Sequence, residues 1–247
     1  MTSSSDSGHS VNVLISGGFE LAYRRCLPEF QNDTGIAVET LSGASQGQGP
    51  KTIRHQLDHG AQVDVVILSN EGLEELRQAG LIAGDPALEL ATAPLAAAVR
   101  AGAPRPDVSS VAALTRTLSD ARLVVMPGST SGLFIQHTVL PKLGIAGTVR
   151  KRVYPRGTES AAALAAGDAD IALGPISELV NIPGVQPVGA LPDEVQLVQT
   201  FTAAIVAKVR NLDSARRLIA FFRSDKAKAA MRDVGMEPIP APGEPNP

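Results

Sequence analysis

Met126-Pro127-Gly128-Ser129-Thr130-Ser131-Gly132-Leu133 follows an apolar run, Leu123-Val124-Val125, and precedes a segment with helical spacing, Phe134 to Leu140. Strand, small-residue turn and helix start in that order aim free backbone N–H groups and the positive end of a helix dipole at one spot. Ser129, Thr130 and Ser131 add hydroxyls there, with no acid among them. Such a place suits an anion. The same residues also suit a helix whose hydroxyls cap only its own first turn.

Comparable turns recur along the chain. A strand over Val11–Ile15 runs into Ser16-Gly17-Gly18 and a helix from about Phe19 to Asn32. Ile36–Leu41 ends in Ser42-Gly43-Ala44-Ser45-Gln46-Gly47-Gln48-Gly49, and Pro50 opens a helix from Lys51 to His59. Val63–Leu68 is a wholly apolar strand followed by a helix ending near Ala79-Gly80. Strand-like Leu95–Val99 and a short helix over Ser109–Leu118 come before the opening stretch. After it come a strand at Arg152–Tyr154, the turn Arg156-Gly157-Thr158-Glu159-Ser160, a helix to Ala166 and a strand at Asp170–Leu173. Phe201–Ala207 is a late strand, with helices at Asp213–Arg223 and Asp225–Val234. Pro141 is expected to kink or end the helix that contains it.

Repeated strand–turn–helix units imply an α/β fold in which helices flank mostly parallel sheets. We place crossings between two lobes near residues 92–99 and 196–203. That divides the chain into residues 11–95 plus 200–236 for the first lobe and 96–199 for the second, with tails at 1–10 and 237–247. Proline density in the second tail argues against helix or ladder pairing there.

Bulk properties narrow the function. The 247 residues are 44% hydrophobic and 19% charged, an ordinary balance for a globular chain. A net charge of −3 with no basic run excludes nucleic acid as the expected partner. No segment approaches the ~20 apolar residues of a membrane span. The polar start, Met1 to Ser10, lacks the features of a secretory signal, so the expected location is cytoplasmic, or periplasmic if a signal has been removed. Cys26 reads as a small buried hydrophobe.

In open α/β sheets, ligands sit beyond the carboxyl ends of strands. The candidate ligand contacts are therefore Ser16, Gly17, Gly18, Ser45, Gln48, Ser129, Thr130, Ser131, Gly132 and Thr158, with Lys51, Arg54 and Arg156 as cations. An arginine there could clamp a carboxylate with two parallel hydrogen bonds, and free surface charge explains the same residues. Glu20, His55 and Glu159 are the candidate proton carriers, although a glutamate in a first helical turn is also good helix design. His55 and His59 lie one helical turn apart, but Gln56 replaces the glutamate of the zinc-protease pattern and no third ligand is evident. We expect no metal. With no Walker loop, dinucleotide fingerprint or cysteine cluster, we expect no cofactor either; Gly128-Ser129-Thr130-Ser131-Gly132 has Thr130 where a hydrolase elbow needs serine.

Several longer pieces carry a resemblance. They are Leu27-Pro28-Glu29-Phe30 before Thr34-Gly35, Gly60 to Ile67, Val99 to Asp107, Thr130-Ser131-Gly132, Ile176-Ser177-Glu178-Leu179, Pro183-Gly184-Val185 and Gly235-Met236-Glu237-Pro238. Over about residues 11–237 the chain resembles the type-2 periplasmic binding proteins, in the branch similar to molybdate-binding proteins. The resemblance implies a two-lobed fold with an anion in the cleft, contacted from the first strand–helix turn, the start of the second helix and the loop around Ser131. Gly18 stands where the family's first turn has serine, and Gly174-Pro175 where a tyrosine is expected; both departures weigh against molybdate. Arg100 to Asp107 and Ile176 to Val185 are similar to an aconitate isomerase-like subgroup, which implies a cofactor-independent allylic proton shift on an unsaturated polycarboxylic acid. Two readings stay open: that isomerase, or a solute-binding protein or intracellular sensor for organic acids or oxyanions, with a transporter permease as partner only if the chain is exported.

Overall fold

A computed structural model describes residues 10–84 and 87–240. The strands and helices expected from the sequence map onto it with a few shifts, while residues 1–9 and 241–247 of the expected tails lie outside the described residues. In chain order the elements are β1 (Ser10–Ser16), α1 (Gly17–Thr34), β2 (Ala37–Gly43), α2 (Ile53–Asp58), β3 (Val65–Ser69), α3 (Asn70–Gln78) and β4 (Leu88–Arg100). Then come α4 (Val111–Asp120), β5 (Val124–Pro127), α5 (Thr130–Phe134), α6 (Leu140–Lys142), β6 (Lys151–Tyr154), α7 (Gly157–Ala166) and β7 (Ile171–Pro175). The chain closes with β8 (Val185–Ala190), β9 (Val198–Ile205), α8 (Leu212–Phe221), α9 (Asp225–Arg232) and β10 (Glu237–Pro238).

Two lobes share one strand. In the first, β2, β1 and β3 are parallel neighbours, and β9 pairs antiparallel with β3. In the second, β6, β5 and β7 are parallel. Strand β4 joins them: Leu88 to Pro94 pair with β9, and Leu95 to Ala98 pair with β7. The parallel order thus belongs to the strand–helix units, and the crossing strands add antiparallel pairings. Each sheet carries apolar cores on both faces, which is why its strands are buried without alternation: Val65 to Leu68 and Leu95 to Ala98 are all fully buried.

Helix α1 shows how sequence sets this packing. Phe19, Ala22, Tyr23, Cys26 and Phe30 recur at helical spacing and are all buried. Phe19 and Tyr23 meet Phe222 at ring-centroid distances of 5.9 and 6.3 Å. Burial pushes the Cys26 thiol up to about 12, so this cysteine behaves as the buried hydrophobe expected of it.

Three local differences from the sequence reading have physical causes. Helix α2 begins at Ile53 rather than Lys51, because the Thr52 hydroxyl accepts a hydrogen bond from the His55 N–H and closes the helix there. Upstream of Pro141, Ile135–Val139 opens into a π-helical turn; proline cannot donate to the ladder and crowds the preceding turn, so the helix widens before it. Glu237 and Pro238, placed in the tail, pair with Thr92 and Ala91 of β4. The pairing survives proline because the neighbouring Ile239 N–H donates to the Leu90 carbonyl.

Gly132 fixes how closely α5 follows β5: a Cβ there would collide with the Pro127 carbonyl oxygen. Gly132→Ala should therefore lower stability by about 1–3 kcal/mol. Gly147→Ala, where a Cβ meets nothing within 4 Å, should be neutral or slightly stabilising. Equal melting temperatures for the two variants would contradict this account.

Candidate interlobe anion site

The carboxyl ends of β1, β2, β5, β6 and β7 meet between the lobes. They enclose a hollow lined by Ser16, Gly17, Gly18, Gly43, Ala44 and Ser45 from the first lobe and by Ser129, Ser131, Pro155, Arg156, Gly157, Pro175 and Glu178 from the second, with Gln199 and Phe201 of β9 at its back. About 20 Å³ is open inside, room for about one water molecule.

Helices α2, α3, α4 and α9 are each capped by their own Thr52, Ser69, Ser110 and Ser224 hydroxyls. Helices α1, α5 and α7 begin at the hollow, and none receives a side-chain cap from Ser16, Ser129 or Arg156. The self-capping explanation of the Ser129 stretch therefore fails. Thr130 instead exchanges a 2.9 Å hydrogen bond with Ser69 across the lobes, and Ser131 is buried in the wall.

Among the described residues, four buried side-chain atoms have no hydrogen-bond partner: Ser16 Oγ, Arg156 Nε, Glu178 Oε2 and Gln199 Oε1. All four residues line this one hollow. An unpaired buried polar group costs about 1–3 kcal/mol, so the convergence of four on one hollow is not explained by fold stability.

Charge is distributed unevenly around it. The Arg156 guanidinium donates to Glu20 Oε2 at 2.7 Å, an ion pair between lobes whose side chains are 24% and 12% exposed. Glu20 also accepts from Arg24 at 2.6 Å. Glu178 ends a 3₁₀ turn (Ile176–Glu178) after β7 and is 8% exposed. Burial raises its carboxyl to about 7, against the lowering effect of Arg156 and with a smaller push from Glu20.

Of the residues singled out in the sequence, Ser16, Gly17, Gly18, Ser45, Ser129, Ser131 and Arg156 line the hollow. Glu20 stands behind it as the partner of Arg156. Gly132 serves the approach of α5 to Pro127. Thr158 is exposed on α7, and Lys51 pairs with Glu159 at 3.1 Å as an outer clasp between lobes. Gln48, Arg54 and His55 line a separate shallow groove beside α2. The His55 ring stacks on His59 at 3.8 Å, and among the described residues no group of three or more His, Cys, Asp or Glu could hold a metal ion. Glu178 and Gln199 were missed. Glu178 lies in a stretch that carried the family resemblance, but nothing local to it signals burial.

Residues 11–237 match the family described as bacterial extracellular solute-binding protein. The chain belongs to that family. It is 31% identical over 234 residues to an aconitate isomerase from a Pseudomonas species, covering 94% of this chain and 89% of the relative. Among solved structures it resembles the sulfate-binding protein SubI of Mycobacterium tuberculosis, with a TM-score of 0.73 and 19% identity over 94% of this chain and 87% of that one. The periplasmic molybdate-binding protein of Azotobacter vinelandii aligns with a TM-score of 0.72 and 18% identity, over 92% and 98% of the two chains. At those identities the structural likeness concerns the fold. Among the described residues no helix is long and apolar enough to cross a membrane.

The raised Glu178 pKa links stability to pH. Below the ordinary glutamate range the side chain is neutral in both folded and unfolded chains. As pH rises through about 7 the folded protein must bury its charge, so stability conferred at low pH is lost. Replacing it with glutamine should therefore leave stability at pH 4 nearly unchanged and raise it at pH 8 by up to about 3 kcal/mol. Chemical denaturation at the two pH values checks this; a difference independent of pH would contradict the buried, uncompensated carboxyl.

Proposed function

We propose that this protein binds a small polycarboxylate between its lobes and shifts the double bond of an unsaturated one by moving an allylic proton, as an aconitate isomerase does. The observation that carries the binding half is the convergence of four unpartnered buried polar atoms on one interlobe hollow. Arg156 Nε and Ser16 Oγ are donors suited to a ligand carboxylate, and the starts of α1 and α7 supply backbone N–H groups and a favourable dipole beside them. Relatedness to an aconitate isomerase along nearly the whole chain supports the chemical half.

The hollow is too small for a tricarboxylate while the lobes are closed. Entry then requires separation across Arg156–Glu20, Lys51–Glu159 and Ser69–Thr130. The exposed Lys51–Glu159 pair resists little. On closure around a ligand, water leaves and each remaining charge interaction strengthens. In that state a ligand carboxylate competes with Glu20 for the same guanidinium.

A second reading is favoured by the family itself: a solute-binding protein that delivers an organic acid or oxyanion to a transporter. It predicts binding without turnover.

Proton NMR of purified protein with cis- or trans-aconitate separates the two readings. Interconversion supports the isomerase, and a raised melting temperature without interconversion supports the carrier. Arg156→Gln should weaken binding by about 10–100-fold, the loss of one charged hydrogen bond. If neither tricarboxylate raises the wild-type melting temperature and neither is converted, both the ligand class and the reaction are wrong.

A further inference from the structure

We propose that Glu178 is the group that removes the allylic proton and returns it to the far carbon, an assignment that rests on the isomerase reading above. Glu178 is nine-tenths buried, its Oε2 has no partner, and its side chain lines the hollow. Three glycines from separate elements make room for that carboxyl. A Cβ at Gly17, the first residue of α1, or at Gly157, the first of α7, would collide with its oxygens, and one at Gly174 in β7 would reach 3.8 Å from Oε2.

The other acid–base groups near the cleft are committed elsewhere. Glu20 accepts from both Arg156 and Arg24. Glu159 is clasped by Lys51 at the rim. His55 lies outside the hollow against His59. Glu178 thus combines access to the guest with an oxygen free to take a proton.

The step balances without a co-reactant. The Glu178 carboxylate takes a proton from the methylene carbon; that C–H bond breaks and an O–H bond forms. The electron pair spreads over the allylic carbons and the adjoining carboxylate. Delivery of a proton from Glu178 to the opposite end of the allylic unit breaks the O–H bond, forms the new C–H bond and leaves the double bond displaced. Glu178 ends as the carboxylate it began as, and nothing is oxidised or reduced. One base suffices because both carbons belong to the same three-carbon unit. The charged groups facing Glu178 are Arg156, at the start of α7, and Glu20 on α1. Burial outweighs the pull of Arg156 and sets the carboxyl near 7, where a base is both ionised and strong enough to act.

The test uses the full chain in D₂O buffer with trans-aconitate, followed by proton NMR for isomerisation and for deuterium entering the allylic positions. Wild type should isomerise with most of the transferred hydrogen retained and only partial entry of deuterium, and with kcat climbing as pH rises through about 7. Glu178→Gln should keep the ligand-induced rise in melting temperature while kcat falls by about 100-fold or more. Glu178→Asp should restore part of that rate and the pH dependence. A Glu178→Gln variant that turns over within ten-fold of wild type, by the standard of about 100-fold for a lost general base, overturns the assignment and leaves the isomerase reading intact. If Glu178→Gln does not fold, Glu178→Asp decides: a lower kcat with unchanged affinity supports the role, and an unchanged kcat overturns it. Wild type that binds but neither isomerises nor exchanges overturns the isomerase reading, and the assignment with it.

Discussion

Arg156 faces two carboxylates in a space largely closed to water. It donates to Glu20 across the lobes, and Glu178 lies near enough for its field to be felt. Glu20 accepts from both Arg156 and Arg24, whereas Glu178 Oε2 has no hydrogen-bond partner. Buried and without a partner at Oε2, Glu178 moves toward neutrality. Lobe closure and charge balance are therefore one problem, because the ion pair that balances the hollow is also a contact that holds the lobes together. A guest bearing a carboxylate changes both at once.

The sheet architecture makes this concentration of polar groups possible. Parallel strands on each side end at the same cleft, and β4 runs without interruption from one lobe into the other, changing partners between Pro94 and Leu95. Glycines let α1, α5 and α7 start close to their neighbours. At Gly17 and Gly157 the room is taken by a glutamate, at Gly18 by the Phe201 ring and at Gly132 by the Pro127 carbonyl. Stability is supplied away from the cleft, by the α1 aromatics and the apolar strands. Asp64 shows the contrast: it is as buried as Glu178, but it accepts from the backbone N–H groups of Asn12, Arg210 and Asn211, and so serves only the fold.

The two-lobed fold and much of the hollow were legible in the sequence because they follow from local order. Ser16-Gly17-Gly18, Ser129 to Ser131 and Arg156 each sit between a strand and a helix, and such turns face the same edge of a sheet whatever the tertiary details. Roles set by distant contacts were not legible. Ile176-Ser177-Glu178 carried only a family resemblance in the sequence; it is buried by α1, more than 140 residues earlier, where the Ser177 hydroxyl donates to the Gly18 carbonyl. His55, a candidate proton carrier by residue type alone, lies instead in a separate groove with its ring on His59. Thr130, an apparent ligand group, spends its hydroxyl on Ser69. Gln199 sits within β9, where strand patterning gives no hint that an amide faces a hollow.

The decisive measurement is a crystal structure of the protein with bound trans-aconitate. The tricarboxylate should lie between the lobes, with one carboxylate within hydrogen-bond distance of Arg156 Nε and Ser16 Oγ, Glu20 displaced from the guanidinium, and Glu178 facing the allylic carbons. A tricarboxylate found instead in the arginine-lined groove of the second lobe, among Arg100, Arg105, Arg116 and Arg122, with the interlobe hollow still closed, would contradict it.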